Sequence, residues 1–167
     1  YFQISAAQLI EDVPFLRTVG LFSGYIEGWA LYSERLAAVD MGMYDNYALG
    51  DLGRLQAEMF RAVRLVVDTG MHDKRWSREQ AITYMLDKTG MTEAEVVREI
   101  ERYVVWPGQA TAYKVGQLAI LKIRSLAERE LGEKFDIKQF HEVILSNGAM
   151  PLDILESTII DWVASQK

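Results

Sequence analysis

The 167-residue sequence has no cysteine, only three prolines and two histidines, and no uninterrupted apolar run near the ~20 residues needed to cross a bilayer. The lack of cysteine excludes disulfides, thiolate zinc sites and cysteine nucleophiles. It leaves the compartment open, because secreted bacterial proteins often dispense with cysteine too. His72 and His141 form no short metal-ligand spacing with each other or with a glutamate, which excludes a self-contained His-rich zinc site. An excess of positive charge is also missing. The formal net charge is −6, and Lys and Arg are scattered among Asp and Glu, so no basic stripe exists to follow a phosphate backbone. Nucleic acid is not expected as a partner, and no transmembrane segment is expected.

What is present is the composition of a folded protein, 50% hydrophobic and 25% charged. A chain of this length buries on the order of 70% of its unfolded surface, enough for a real core. Periodicity is helical nearly throughout, with no run of strand-like alternation. The pattern predicts about seven or eight helices in a single all-α domain over residues 1–167. A first helix is expected from Phe2 to about Asp12, with Pro14 marking its end, and a second from about Ser23 to Met41, closed by Gly42. The third covers Leu49 to Thr69, with Leu52, Leu55, Met59, Val63, Val66 and Val67 as its apolar stripe and Gly70 as its end. Ser77-Arg78-Glu79-Gln80 and Thr92-Glu93-Ala94-Glu95 read as capping boxes, the first opening a helix to about Lys88, the second one that ends before Pro107-Gly108. Gln109 to Leu131 reads as one long helix stopped by Gly132. Asp136 caps a segment to about Ser146, Asn147-Gly148 turns, and Pro151 opens the last helix at a first-turn position. Trp29, Trp76, Trp106 and Trp162 lie in four different regions, most of them expected in packing.

The stretch from Gly24 to Glu34 carries two carboxylates, Glu27 and Glu34, on an otherwise apolar helix, and seven residues bring them back to nearly the same face. A buried carboxylate needs an Arg, a Lys, a hydrogen-bond cluster or a metal ion, and spacing alone favours an Arg or Lys pair. His72 follows Gly70-Met71 near a helix C-terminus, where it could face a cleft or simply complement the helix dipole. His141 is expected at the surface or half-buried. Arg64 and Asp68, one turn apart, are expected to pair on their own helix. Tyr103, Gln109, Tyr113 and Lys114 gather around the break at Trp106-Pro107-Gly108, an arrangement that suits an oxyanion or a substrate carboxylate as well as plain capping.

Four segments together, in this order, resemble one family: Glu27-Gly28-Trp29-Ala30-Leu31-Tyr32-Ser33-Glu34; Arg64 through His72; Trp106-Pro107-Gly108-Gln109-Ala110 with Tyr113-Lys114-Val115-Gly116; and Phe135-Asp136 with Phe140-His141. They are similar to the C-terminal part of the bacterial domain-of-unknown-function family 885, whose members are described as lipoproteins and are similar to gluzincin zinc metallopeptidases. The resemblance implies a gluzincin-like C-terminal helical half in which Glu27 is the third zinc ligand and Glu34 a supporting carboxylate. It implies that His72, Tyr103 and Tyr113 hold substrate or stabilise a tetrahedral oxyanion; Gln109 and Arg64 are expected as substrate-binding residues beside them. Lipoprotein-like relatives suggest the cell envelope or periplasm.

Tyr1-Phe2-Gln3 matches the scar of a common tag-removal site, but on the family alignment it is native sequence just after the family's His-Glu-x-x-Pro-Gly-His motif. Two metal ligands and the general base would then lie upstream of this chain. Zinc hydrolysis needs three protein ligands and a base, so zinc and a peptide substrate are expected of the intact parent, where metal-activated water would attack a peptide bond. The isolated chain is expected to be inactive and to hold no zinc. Interior surface opened by the missing helix would favour a homodimer of the fragment. The competing expectation is a non-catalytic helical binding or assembly module on the same frame.

Overall fold

The computed structural model describes residues 2–11 and 22–167. Among them the regular structure is entirely helical, in eight α-helices: α1 (Phe2–Gln8), α2 (Ser23–Arg35), α3 (Ala48–His72), α4 (Arg78–Thr89), α5 (Glu93–Val105), α6 (Ala112–Leu131), α7 (Ile137–Ser146) and α8 (Leu152–Gln166). Local capping chemistry sets three of the starts. At α4 the Ser77 hydroxyl accepts from Gln80 N at 3.2 Å while Ser77 N donates to Gln80 Oε1 at 2.8 Å, which closes the expected capping box. At α5 Thr92 N donates to the Glu95 carboxylate at 3.0 Å. At α7 Asp136 Oδ1 accepts from Lys138 N at 2.7 Å. Gly90 stops α4 in the left-handed region at φ 64°, where a side chain would be strained.

The chain groups into two compact units, Tyr1–Tyr32 with Val115–Lys167, and Ser33–Lys114. In the first, α2 and α6 touch backbone to backbone: a Cβ on Gly28 would lie 2.5 Å from Gly116 Cα, and one on Gly116 would run into the Gly24 carbonyl oxygen. Tyr25 donates its hydroxyl to Ile144 O at 2.8 Å, and the buried Gln117 amide donates to Leu31 O at 3.1 Å, so both buried polar side chains are satisfied. Phe140 and Ile144 of α7 join Leu155, Ile159 and Val163 of α8 in this core. In the second unit, α3 packs against α4 and α5. Val63 and Val67 meet Ala81, Ile82 and Met85 from α4, and Val96, Ile100 and Tyr103 from α5.

Several expected boundaries and faces differ. The second helix leaves α geometry at Arg35 and continues as a π-helical turn, Leu36–Asp40. Gly70 does not end α3, which runs on to His72. It is instead the flat spot on which the Trp76 indole rests, where a Cβ would come within 2.6 Å of the ring. Only two of the six residues of the expected stripe on α3 are buried. Val63 and Val67 are buried, but Leu52, Leu55, Met59 and Val66 are exposed, because the row that meets α4 and α5 runs through Phe60, Val63, Arg64, Val67 and Asp68. Gln109–Thr111 forms a 3-10 turn ahead of α6, and Pro151 sits at the N-cap of α8 instead of inside its first turn. Trp29, Trp76 and Trp162 pack against rings, but Trp106 is 61% exposed. The expected first-helix end at Asp12 and Pro14 lies outside the described residues.

Candidate functional site

Helix α3 points two charged side chains at the interior of the second unit. Arg64 and Asp68 share the face of Val63 and Val67, and they are 4% and 3% exposed. They do not pair with each other as their spacing suggests. Both Asp68 oxygens accept the Gly108 N–H at 3.1 Å, and Gly108 presents that N–H from the left-handed conformation, φ 81°. The Arg64 guanidinium lies among aromatic rings, its central carbon 4.7 Å from the centre of Tyr113, 5.1 Å from Phe60 and 5.5 Å from Tyr103. Among the described residues it makes no hydrogen bond and no ion pair, and its Nε is fully enclosed without an acceptor.

The surrounding polar groups form a chain of hydrogen bonds. Tyr103 donates its hydroxyl to Glu99 at 2.7 Å, Arg102 donates to Glu99 at 2.9 Å and to Gln109 Oε1 at 2.8 Å, and the Nε2–H of His72 donates to the Tyr103 carbonyl at 2.9 Å. Burial and then the Glu99 carboxylate push the Tyr103 phenol far above its ordinary range. It stays protonated and tied to Glu99. Burial alone would raise Glu99, but hydrogen bonds from Arg102 and Tyr103, with the charges of Arg102 and Arg64, outweigh it and hold the carboxyl below its usual value.

The structure thus brings together five residues that the sequence singles out: Arg64, Tyr103, Tyr113, Gln109 and, through the Tyr103 carbonyl, His72. His72 is the last residue of α3 and exposed, Tyr113 is half-buried, and Tyr103 is fully buried. Glu34, whose side chain is 43% exposed, stands 3.7 Å from Arg61 in the same unit. Glu27 is half-buried on α2, in the other unit. His141 is half-buried and shares a 2.7 Å hydrogen bond with Tyr32. Arg61, Phe60, Glu99 and Arg102 belong to the cluster, yet sequence reasoning passes over them. For Phe60 the available signal was the i, i+3, i+4 row from Phe60 to Asp68, which places charged residues on a buried face, whereas Glu99 and Arg102 join from another helix that no local spacing connects to it.

No group of three or more His, Asp and Glu that could hold a metal ion occurs among the described residues. A single glutamate such as Glu27 does not make a zinc site by itself, which takes three protein ligands.

These features define a class: an all-helical chain of two compact units, the second built around a buried arginine walled by aromatic rings. The chain belongs to the bacterial protein family of unknown function DUF885, whose family model it matches over residues 1–159. Its fold is similar to the crystal structure of the "putative lipoprotein" from Colwellia psychrerythraea, with TM-score 0.94 and 55% identity over 98% of this chain. It is also similar to a "putative lipoprotein of unknown function" from Shewanella oneidensis, with TM-score 0.80 and 25% identity over 96% of this chain. The chain spans 28% of the length of the first and 29% of the second. No curated protein matches the chain. Among the described residues no helix is long and apolar enough to cross a membrane.

Proposed function

We propose that this chain is the C-terminal helical portion of a zinc-dependent peptidase of the bacterial envelope, in which Glu27 supplies one metal ligand and the cluster around Arg64 holds the peptide. The observation that carries this reading is the convergence of Arg64, Tyr103, Tyr113, Gln109 and His72, from three helices and a turn, on one polar cluster within a single unit. A buried guanidinium without a hydrogen-bonded carboxylate carries a desolvation cost that packing alone does not repay, which supports a binding role for Arg64. The lipoprotein descriptions of the two relatives support the envelope. On this reading the isolated chain hydrolyses no peptide.

The test uses a protein of the relatives' length that contains this segment. Zinc content after dialysis is expected to fall about tenfold or more in Glu27→Ala and to persist in Glu34→Ala. Equal zinc in both variants removes Glu27 from the metal. No zinc in the unsubstituted protein favours a non-catalytic binding module on the same frame.

A further inference from the structure

Arg61 and Arg64 lie one turn apart on α3, and their guanidinium carbons stand 5.9 and 4.7 Å from the centre of the same Tyr113 ring. Each has a buried Nε–H with no acceptor among the described residues. Arg61 spends one Nη on the Ala57 carbonyl at 3.0 Å, and its other Nη is 3.7 Å from Glu34, outside hydrogen-bond range. The other carboxylates around this face are engaged elsewhere: Asp68 on Gly108 N, Glu99 on Arg102 and Tyr103, and Glu58 on Arg54 and Lys114. Arg64 is 4% exposed and hydrogen-bonds to no anion among the described residues, and the charge of Glu99 and the ring contacts offset only part of the cost of burying it. Two adjacent donors without acceptors define what is missing.

The chemistry that would satisfy these donors is that of a singly charged anion. Glu34, at 3.7 Å from Arg61, and the charges of Glu99 and Asp68 stand near the two guanidiniums without a hydrogen bond to either, so a planar, singly charged carboxylate suits the open donors better than a phosphate dianion. The walls supplied by Phe60, Tyr103 and Tyr113 suit an apolar group next to that carboxylate. We propose that Arg61, Arg64 and Tyr113 form a binding site for a peptide carboxylate, specifically the free C-terminal carboxylate, which would make the substrate the end of a chain and not its interior. The anion site stands on the geometry above, and its assignment to a terminal carboxylate rests on the peptidase reading.

The experiment titrates the 15N-labelled 167-residue chain with three peptides: acetyl-Ala-Ala, its C-terminal amide, and acetyl-Ala-Glu-amide. It follows the Nε–Hε resonances of Arg61 and Arg64, assigned with Arg61→Lys and Arg64→Lys. Acetyl-Ala-Ala is expected to shift both resonances and to bind about tenfold or more tightly than its amide, and each lysine variant to lose about as much while keeping the helical circular dichroism of the parent. Equal responses to the acid and the amide, or none to either, overturn the anion site. Binding of acetyl-Ala-Glu-amide as tight as that of acetyl-Ala-Ala overturns the terminal assignment and makes acidic side chains the ligand. Loss or retention of zinc in the Glu27 test changes none of these outcomes, so the two readings fail separately.

Discussion

Replacing Gly116 by alanine probes the closest backbone approach in the first unit, where α6 crosses α2. The added Cβ would collide with the Gly24 carbonyl oxygen and lie 2.6 Å from Gly28 Cα, and both obstacles are backbone, so no side chain can rotate out of the way. The helices must separate, and with them the neighbouring Gln117-to-Leu31 hydrogen bond, 3.1 Å long and fully buried. Overpacking of this kind costs about 1–3 kcal/mol or more, against about 1 kcal/mol that alanine gains over glycine within a helix. The clash wins because it meets rigid atoms. Gly116→Ala is therefore expected to destabilise the chain by about 1–2 kcal/mol or more, a fall of roughly 2–8 °C in Tm for a protein of this size. Gly53→Ala is the control. It sits within α3, and a Cβ there would meet nothing within 4 Å, so only the propensity gain remains, and the change is expected to stabilise by about 0.5–1 kcal/mol. Urea unfolding followed by circular dichroism at the helix band measures both. A Gly116→Ala chain as stable as the parent, beside a stabilised Gly53→Ala, would refute the packing argument.

Two further outcomes follow from buried carboxylates. Burial alone would raise the Glu58 pKa, but hydrogen bonds and charge from Lys114 at 2.7 Å and Arg54 at 2.9 Å hold it below its ordinary 4.5, so its stabilisation is present above that value and is lost as pH falls through the lower folded value. Glu58→Gln is expected to cost about 1–2 kcal/mol at pH 7 and to flatten the decline of Tm below about pH 4.5, and an unchanged acid limb would contradict it. Asp68→Ala removes the acceptor of the Gly108 N–H, and because that turn is exposed and water can replace the lost partner, it is expected to cost about 0.5–1.5 kcal/mol in urea unfolding, with Asp68→Asn losing less because one acceptor oxygen remains.

Much of this fold was legible because helix capping is local. Ser77 bonds to Gln80, Thr92 to Glu95 and Asp136 to Lys138, spans of two or three residues that a short string of letters contains whole. Burial is not local. On α3 the row of Leu52, Leu55 and Met59 is as regular as the row of Phe60, Val63 and Val67, and only the arrival of α4 and α5 decides which one is covered. Gly70 reads as a helix stop for the same reason, since the indole that needs its bare face comes from a later turn. Arg64 and Asp68 read as a pair because spacing describes one helix, while the partner that takes Asp68 is a backbone N–H forty residues on.

The same non-locality explains why only some residues of the cluster stand out in the sequence, and why their bonding does not. Tyr103 and His72 look like donors for an oxyanion when read from the sequence, but the Tyr103 hydroxyl is committed to Glu99 and the His72 Nε2–H to the Tyr103 carbonyl. Each of these bonds is satisfied inside the unit, and a satisfied donor gains little by turning to a ligand. Among the described residues of this unit, the enclosed side-chain donors without an acceptor are the Nε–H groups of Arg61 and Arg64. A side chain's residue type says which bonds it can make, and only the folded neighbourhood says which remain unmade. Recognition in this unit is therefore expected to run through its arginines, with the tyrosines serving as the walls that hold them in place.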